Sequence, residues 1–129
     1  MNALHIEATR STPAISFNPD HAWFRVAGNS IPENASDFYT PIITWLKENR
    51  DQLPDGCTFE FSLPYFNSSS LKALYTLLMV VKSGIQQGRR FGVTWYVEND
   101  DEFMQEAGES YQEMLGMDIN IVAGHLDLK

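Results

Sequence analysis

The sequence predicts a single α/β domain over residues 1–129, with a mainly parallel central sheet, an N-terminal β-hairpin and covering helices. A chain of 129 residues that is 43% hydrophobic and 12% aromatic has the size and composition of one globular domain. Short runs of aromatic and β-branched residues alternate with segments that are apolar at helical spacing. The resulting order, two strands and then helices alternating with strands, is typical of a mainly parallel sheet.

The first half of the chain predicts a β-hairpin followed by a helix. Residues 14–17 and 23–27 favour strands, and the turn formers at residues 18–20 separate them. A helix is then predicted over about residues 35–49. Its apolar stripe consists of Phe38, Ile42, Trp45 and Leu46. Pro41 falls inside this pattern, so the helix either begins next to the proline or bends there.

The second half predicts two further strand–helix units and a closing strand. Residues 58–63, 91–97 and 118–122 favour strands. Helices are expected over about residues 71–85 and 100–114, the second with an acidic first turn that suits the helix dipole. The apolar stripe of the first of these helices consists of Leu71, Leu74, Leu78, Val81 and Ile85.

Charge and cysteine content exclude several classes of function. A formal net charge of −8 at pH 7 opposes binding to nucleic-acid phosphates and to anionic membranes. Cys57 is the only cysteine, so no internal disulfide or cysteine metal cluster is expected. The polar residues 1–13 lack the features of a signal peptide, and no apolar run is long enough to span a membrane. We therefore expect a cytoplasmic protein.

One Asn and three consecutive hydroxyl residues precede the helix of residues 71–85. Asn67 is a favourable N-cap, and the three serines after it would occupy the first turn of the helix. Backbone amides and the helix dipole attract anions there. The pattern fits a nucleophile, an anion site, a phosphorylation switch or a simple helix start. Lys72 follows Ser68 by four residues and would be close enough to pair with a phosphate on it.

A second polar loop, residues 28–34, also leaves a strand and enters a helix. In a parallel sheet such loops share one edge, where open α/β folds place functional groups. Ser30, Glu33 and Asn34 are therefore expected close to Ser68.

Motifs along nearly the whole chain resemble those of a known family. They are the Ser-Thr-Pro of residues 11–13, the Gly-Asn-Ser-Ile-Pro-Glu-Asn of residues 28–34, the Tyr-Phe-Asn-Ser-Ser-Ser of residues 65–70, and the strand that contains Trp95. Together they are similar to the SiaC-like family of bacterial regulatory phosphoproteins. The order of elements resembles the STAS fold of anti-anti-sigma proteins. Those proteins have Asp where this chain has Asn67, which favours the SiaC-like branch.

The resemblance implies a non-catalytic, partner-switching regulator without a cofactor. It implies that a cognate Ser/Thr kinase phosphorylates Ser68, with Ser69 as second choice, and that a PP2C-like phosphatase reverses this. The unphosphorylated form would bind and activate a diguanylate cyclase and so control cyclic-di-GMP and biofilm formation. One alternative is an anti-sigma factor antagonist. Another is a small anion-binding protein or enzyme that uses the edge formed by Ser30 and Ser68.

A helical wheel of residues 68–85 predicts a docking surface on the second helix. It places Ser70 toward the buried stripe, Ser69 nearly opposite and Ser68 on the flank. Val80 is expected far from the stripe, so Val80→Glu should abolish partner binding and spare the fold. The residues expected to bind partners are Ser30, Pro32, Glu33, Asn34, Tyr65, Asn67, Ser69, Ala73, Thr76, Met79 and Val80.

Other chemistry-bearing residues receive structural interpretations. An acidic group could in principle hold magnesium, but it lies at a helix start, where acids complement the dipole. The group consists of Glu98, Asp100, Asp101 and Glu102. The three histidines have no zinc-site spacing, so no metal is expected. Met104, Met114 and Met117 are expected to fill the core or a helix end.

Overall fold

A six-stranded sheet forms the centre of the molecule in a computed structural model that describes residues 3–126. The strands are β1 (Leu4–Ile6), β2 (Ala14–Asn18), β3 (Trp23–Ala27), β4 (Thr58–Ser62), β5 (Gly92–Val97) and β6 (Asn120–Ala123). The helices are α1 (Ala35–Asn49), α2 (Ser68–Gln86) and α3 (Glu102–Leu115), and a 3₁₀ turn spans Arg50–Gln52. The strands lie side by side in chain order. The β1–β2 and β2–β3 pairs are antiparallel, and the other three pairs are parallel.

Each helix joins two neighbouring parallel strands. Such crossovers are right-handed, which places all three helices on the same face of the sheet. The burial pattern agrees, since Phe24, Phe59 and Trp95 on one face are fully buried. Their chain neighbours Arg25 and Glu60 on the other face are half-buried and form an ion pair. The molecule is therefore a two-layer sandwich of helices and sheet.

Aromatic side chains fill the layer between sheet and helices. The register of β3 against β4 sets Phe24 beside Phe59, and their ring centroids are 5.4 Å apart. On β5, Trp95 donates its indole N–H to the carbonyl of Met104 in α3 over 2.9 Å. Gly108 makes this close packing possible, because a Cβ atom there would lie 2.7 Å from Cδ1 of Trp95.

The structure confirms the hairpin, the three helices and the mainly parallel sheet. Residues 118–122 were predicted as the last strand, which forms at Asn120–Ala123. Residues 1–13 were described only as polar and no strand was placed there, but β1 pairs Leu4 with Phe17 and Ile6 with Ile15. A strand of three residues is too short to show a two-residue period clearly.

Helix α1 begins well before its proline. The side chain of Asn34 accepts a hydrogen bond from the amide of Asp37 over 3.2 Å, which caps the helix at Ala35. Pro41 is exposed and lies inside the helix. The alternative in which the helix starts at the proline is therefore wrong.

Within residues 3–126, no helix combines the length and apolarity needed to cross a membrane.

Candidate functional site

The loops that follow β3 and β4 are joined at the carboxyl edge of the sheet. The amide of Ser30 donates to the carbonyl of Tyr65 over 2.8 Å, and the amide of Asn67 donates to the carbonyl of Ser30 over 3.0 Å. The side-chain amide of Asn67 also donates to the carbonyl of Pro32 over 3.1 Å. The two polar loops therefore meet as predicted, through backbone as well as side-chain hydrogen bonds.

A buried chain of hydroxyl groups links these loops to α1. The hydroxyl of Ser30 donates to that of Ser70 over 2.8 Å, and Ser70 donates to the carbonyl of Ser30 over 2.9 Å. Because the Ser30 proton is used in this way, the phenol of Tyr39 donates to the Ser30 oxygen over 2.6 Å. Burial raises the pKa of Tyr39 to about 12, and its hydrogen bond with Ser30 offsets a smaller part of this rise. Tyr39 therefore remains a neutral donor at physiological pH.

A second tyrosine holds α2 from the side of α3. The phenol of Tyr111 donates to the carbonyl of Leu71 over 2.5 Å. Burial raises the pKa of Tyr111 well above its usual range, so this group is also a neutral donor. The first turn of α2 is thus anchored by Ser70 on one side and by Leu71 on the other.

The three serines at the start of α2 have different environments. The Asn67 side chain accepts from the amide of Ser70 over 3.0 Å, which is the predicted N-cap. It also accepts from the hydroxyl of Ser69 over 3.0 Å, and Ser70 is fully buried. The hydroxyl of Ser68 is exposed and makes no hydrogen bond to any residue in the range 3–126. Ser68 therefore differs from Ser69, which is also exposed, in that its hydroxyl makes no hydrogen bond within residues 3–126.

The predicted rotation of α2 was wrong at two positions. Val80 is only 5% exposed, whereas Leu71, expected in the buried stripe, is 38% exposed. Packing of α2 against α1 as well as the sheet accounts for the burial of Val80, and Arg50 from the end of α1 donates to its carbonyl over 3.3 Å. Val80→Glu, expected to spare the fold, would bury an unpaired carboxylate and should instead destabilise it.

Two other residues expected to bind partners are buried. Ser30 is inaccessible because its hydroxyl lies within the Tyr39–Ser70 network. Pro32 is buried beside Asn67, which donates to its carbonyl. The side chains of Ser30, Pro32 and Val80 are therefore inside the molecule, where they support the site.

A groove between α1 and α2 collects most of the remaining predicted residues. Its volume is about 410 Å³. From the predicted set, the groove is lined by Glu33, Asn34, Ser69, Lys72, Ala73 and Thr76. Lys72 is exposed and forms no ion pair within residues 3–126. Met79 is exposed on the outer side of α2 and does not line this groove.

Tyr65 is exposed but lies at a different depression. That depression, of about 380 Å³, is formed with residues of the loop after β5, among them Glu98 and Asp101. Asp101 caps α3, because its side chain accepts from the amide of Met104 over 3.2 Å. Glu98 lies 3.9 Å from His125. In the described part of the chain, no three His, Cys, Asp or Glu side chains are grouped closely enough to hold a metal ion.

Cys57 is buried, whereas one of the three methionines considered above is exposed. Cys57 is fully buried, and burial raises the pKa of its thiol to about 11, which keeps it protonated at neutral pH. Met104 and Met117 are in the core, whereas Met114, at the C-terminal end of α3, is 59% exposed. Tyr39 was not predicted as part of the site, and its hydroxyl on an otherwise apolar helix face was the available signal.

Comparison with known proteins gives this fold and site a functional class. Residues 6–124 match the family model described as SiaC family regulatory phosphoprotein, so the class is that of a regulator and not of an enzyme. The chain belongs to the SiaC family, as its motifs had suggested.

Similar proteins of known structure come from Pseudomonas aeruginosa. SiaC of that organism superposes with a TM-score of 0.84 and 27% identity, over 96% of this chain and all of that one. A crystal structure of the diguanylate cyclase SiaD in complex with its activator SiaC matches with a TM-score of 0.84 and 28% identity, over 94% of this chain and 99% of that one. An uncharacterized protein of strain UCBPP-PA14 is 31% identical over 116 residues, which are 88% of this chain and 90% of that protein.

Proposed function

We propose that this protein is a phosphorylation-controlled partner-switching regulator whose unphosphorylated form binds and activates a diguanylate cyclase. The observation that carries the proposal is the full-length similarity to SiaC, which was crystallised with the diguanylate cyclase SiaD as its activator. Cyclic-di-GMP synthesis, and with it biofilm formation, would follow the phosphorylation state of the protein in its bacterial cytoplasm.

Ser68 is the proposed phosphorylation site. Within residues 3–126 its exposed hydroxyl makes no hydrogen bond, whereas that of Ser69 donates to the cap residue Asn67 and that of Ser70 is buried. A phosphate on Ser68 would lie at the positive end of α2, with the exposed ammonium of Lys72 one turn away. The proposed enzymes are a cognate Ser/Thr kinase and a PP2C-like phosphatase. Ser69 is the second choice.

The proposed docking surface consists of the α1–α2 groove and the outer side of α2. Glu33, Asn34 and Ser69 form its polar end, and Ala73 and Thr76 continue it along the helix. Met79 adds an exposed apolar side chain on the outer face. Tyr65 and Asn67 lie at the carboxyl edge of the sheet, next to the start of α2.

The proposed switch is a local electrostatic effect. Phosphorylation adds a charge of about −1.5 to −2 at neutral pH. A partner that covers the start of α2 would have to desolvate this charge, which opposes binding. The first turn is anchored through Ser70 and Leu71, so the charge would act without refolding the domain.

The test is cyclase activity measured with purified components. A diguanylate cyclase that co-purifies with this protein from its own cells is incubated with GTP, and cyclic-di-GMP is quantified with the wild type, Ser68→Ala and Ser68→Asp. We expect activation by the wild type and Ser68→Ala, and at least a tenfold loss of activation with Ser68→Asp. Gln86→Asp is the matched control, because it adds the same charge at an exposed position at the far end of α2, outside the proposed docking surface. Absence of activation by the wild type would contradict the proposed function, whereas equal effects of both Asp variants would contradict only the placement of the switch at Ser68.

A further inference from the structure

An apolar stripe on α3 faces α2 and remains open to solvent. At 100° per residue, Phe103, Ala107, Ser110 and Met114 follow a single line along the helix. Phe103 is 58% and Met114 59% exposed, and Leu71 of α2 forms the opposite wall. Monomeric domains rarely leave large apolar side chains clustered in this way without a binding role.

The stripe and Leu71 form a groove with a definite shape. Large side chains stand at its two ends, and the small Ala107 and Ser110 between them leave a depression of about 340 Å³. Eleven residues separate Phe103 from Met114, which is about 16 Å along the helix axis. Phe103 also packs against Phe66, with ring centroids 5.3 Å apart. The groove therefore exists in the free protein and need not be formed by a ligand.

One flank of the groove carries an uncompensated row of acids. This row consists of Glu102, Glu106, Glu109 and Glu113. Helical geometry places all four about 60–120° to the same side of the apolar line. Helix α3 has no Lys or Arg, and none of the four glutamates forms an ion pair within residues 3–126. Glu113 lies in the last turn, where an acid opposes the helix dipole, so this charge does not stabilise α3.

We propose that the α2–α3 groove binds a basic amphipathic helix of a partner protein. Apolar anchors at positions i, i+4 and i+7 of such a helix span about 10 Å and fit between Phe103 and Met114. Lys and Arg on one flank of the bound helix would face the row of glutamates. A second copy of this chain, with its net charge of −8, and an anionic membrane would both be repelled by that row. The surface is distinct from the α1–α2 groove, and neither the cyclase nor phosphorylation is needed to test it.

The probe is a synthetic, fluorescein-labelled helical peptide of about sixteen residues, with Leu at the anchor positions and Lys on one flank. The control peptide has the same sequence with Glu in place of Lys. We expect saturable binding of the basic peptide only, with an affinity that falls as salt is raised from about 50 to 300 mM. In ¹⁵N–¹H spectra of the protein, the shifts should map to α3 and to Leu71. Equal binding of both peptides, or shifts centred on another surface, would overturn the proposal.

Substitutions then test whether the peptide binds in the groove or at any exposed apolar side chain. Met114→Ser and Phe103→Ser should each weaken the basic peptide about tenfold. Ile31→Ser is the matched control, because Ile31 is also a large exposed apolar residue but lies outside the groove, and it should leave binding unchanged. Met114 makes none of the aromatic contacts of Phe103, so its variant keeps the test valid if Phe103→Ser perturbs folding. Equal losses in Ile31→Ser and Met114→Ser would exclude this groove as the site.

Discussion

The hydroxyl groups of Ser30 and Ser70 are 2.8 Å apart, although forty residues separate them in the chain. Their hydrogen bond connects the loop after β3 to the first turn of α2, and Tyr39 continues it into α1. Ser68, two residues before Ser70, is therefore exposed on a helical turn that is held to the loop after β3 and to α1.

Ser70→Ala should destabilise the protein by about 1–3 kcal/mol, because it leaves the buried hydroxyl of Ser30 without its acceptor. Urea unfolding followed by circular dichroism measures the difference. Ser69→Ala removes only an exposed hydrogen bond to Asn67 and should cost less than about 0.5 kcal/mol. Equal losses in the two variants would contradict the structural role assigned to the buried network.

Ser68→Asp should leave the stability unchanged or raise it by about 0.3–1 kcal/mol, because an acid is favourable in the first turn of a helix. Thermal unfolding measures this effect. Peptide mapping of protein treated with its cognate kinase should find the phosphate on Ser68. Modification of Ser69 alone would refute the assignment and keep the switch, and a loss of several degrees in the midpoint of Ser68→Asp would show that this side chain is buried.

Met79→Glu should abolish binding to the cyclase and preserve the fold, since Met79 is exposed on the outer side of α2. An unpaired carboxylate in a buried interface opposes association. Val80→Glu, one residue further, should instead destabilise the domain by more than about 3 kcal/mol, because Val80 is buried. Binding by calorimetry and unfolding by urea distinguish the two effects. Unchanged affinity of folded Met79→Glu would remove this face from the docking surface.

Stability should fall steeply above about pH 10. The pKa of Tyr39 is raised from 10.0 in the unfolded chain to about 12 by burial, so the unfolded state loses the phenol proton first. This contribution is fully present below pH 10 and is lost as the pH rises toward 12. Tyr111 acts in the same direction. Tyr39→Phe should therefore show a smaller fall in unfolding free energy between about pH 9 and 11 than the wild type. An unchanged slope would mean that Tyr39 is solvated in the folded state.

The thiol of Cys57 should be unreactive in the native protein. It is buried, and its pKa is raised from 9.0 to about 11, so the reactive thiolate is scarce at neutral pH. A disulfide reagent at about pH 8 should react with one thiol per chain in guanidinium chloride and with none over the same time in buffer. Rapid reaction of the native protein would show that the segment at the start of β4 opens readily and exposes the thiol.

Features set by neighbouring residues in the chain could be predicted from the sequence. The cap at Asn67 and the β2–β3 hairpin depend on local turn and helix-start chemistry, and both are present. The burial of Val80 could not be predicted, because it depends on where α1 packs against α2. The exposure of Met114 had the same difficulty, since an apolar helix position is normally in the core. Contacts between residues far apart in the chain determine the burial of Val80 and the exposure of Met114.

The anchored first turn of α2 would determine the form in which the proposed kinase meets Ser68. In the folded protein, Ser68 is the first residue of a helix whose next residues are tied to the β3 loop through Ser70 and to α3 through Leu71. A peptide cut from this region would lose both ties and would not hold a helix in water. A kinase that phosphorylates Ser68, as proposed, would therefore recognise a folded surface and not a linear motif. Such a substrate would escape searches for consensus peptides, and its specificity would depend on the whole domain that presents the serine.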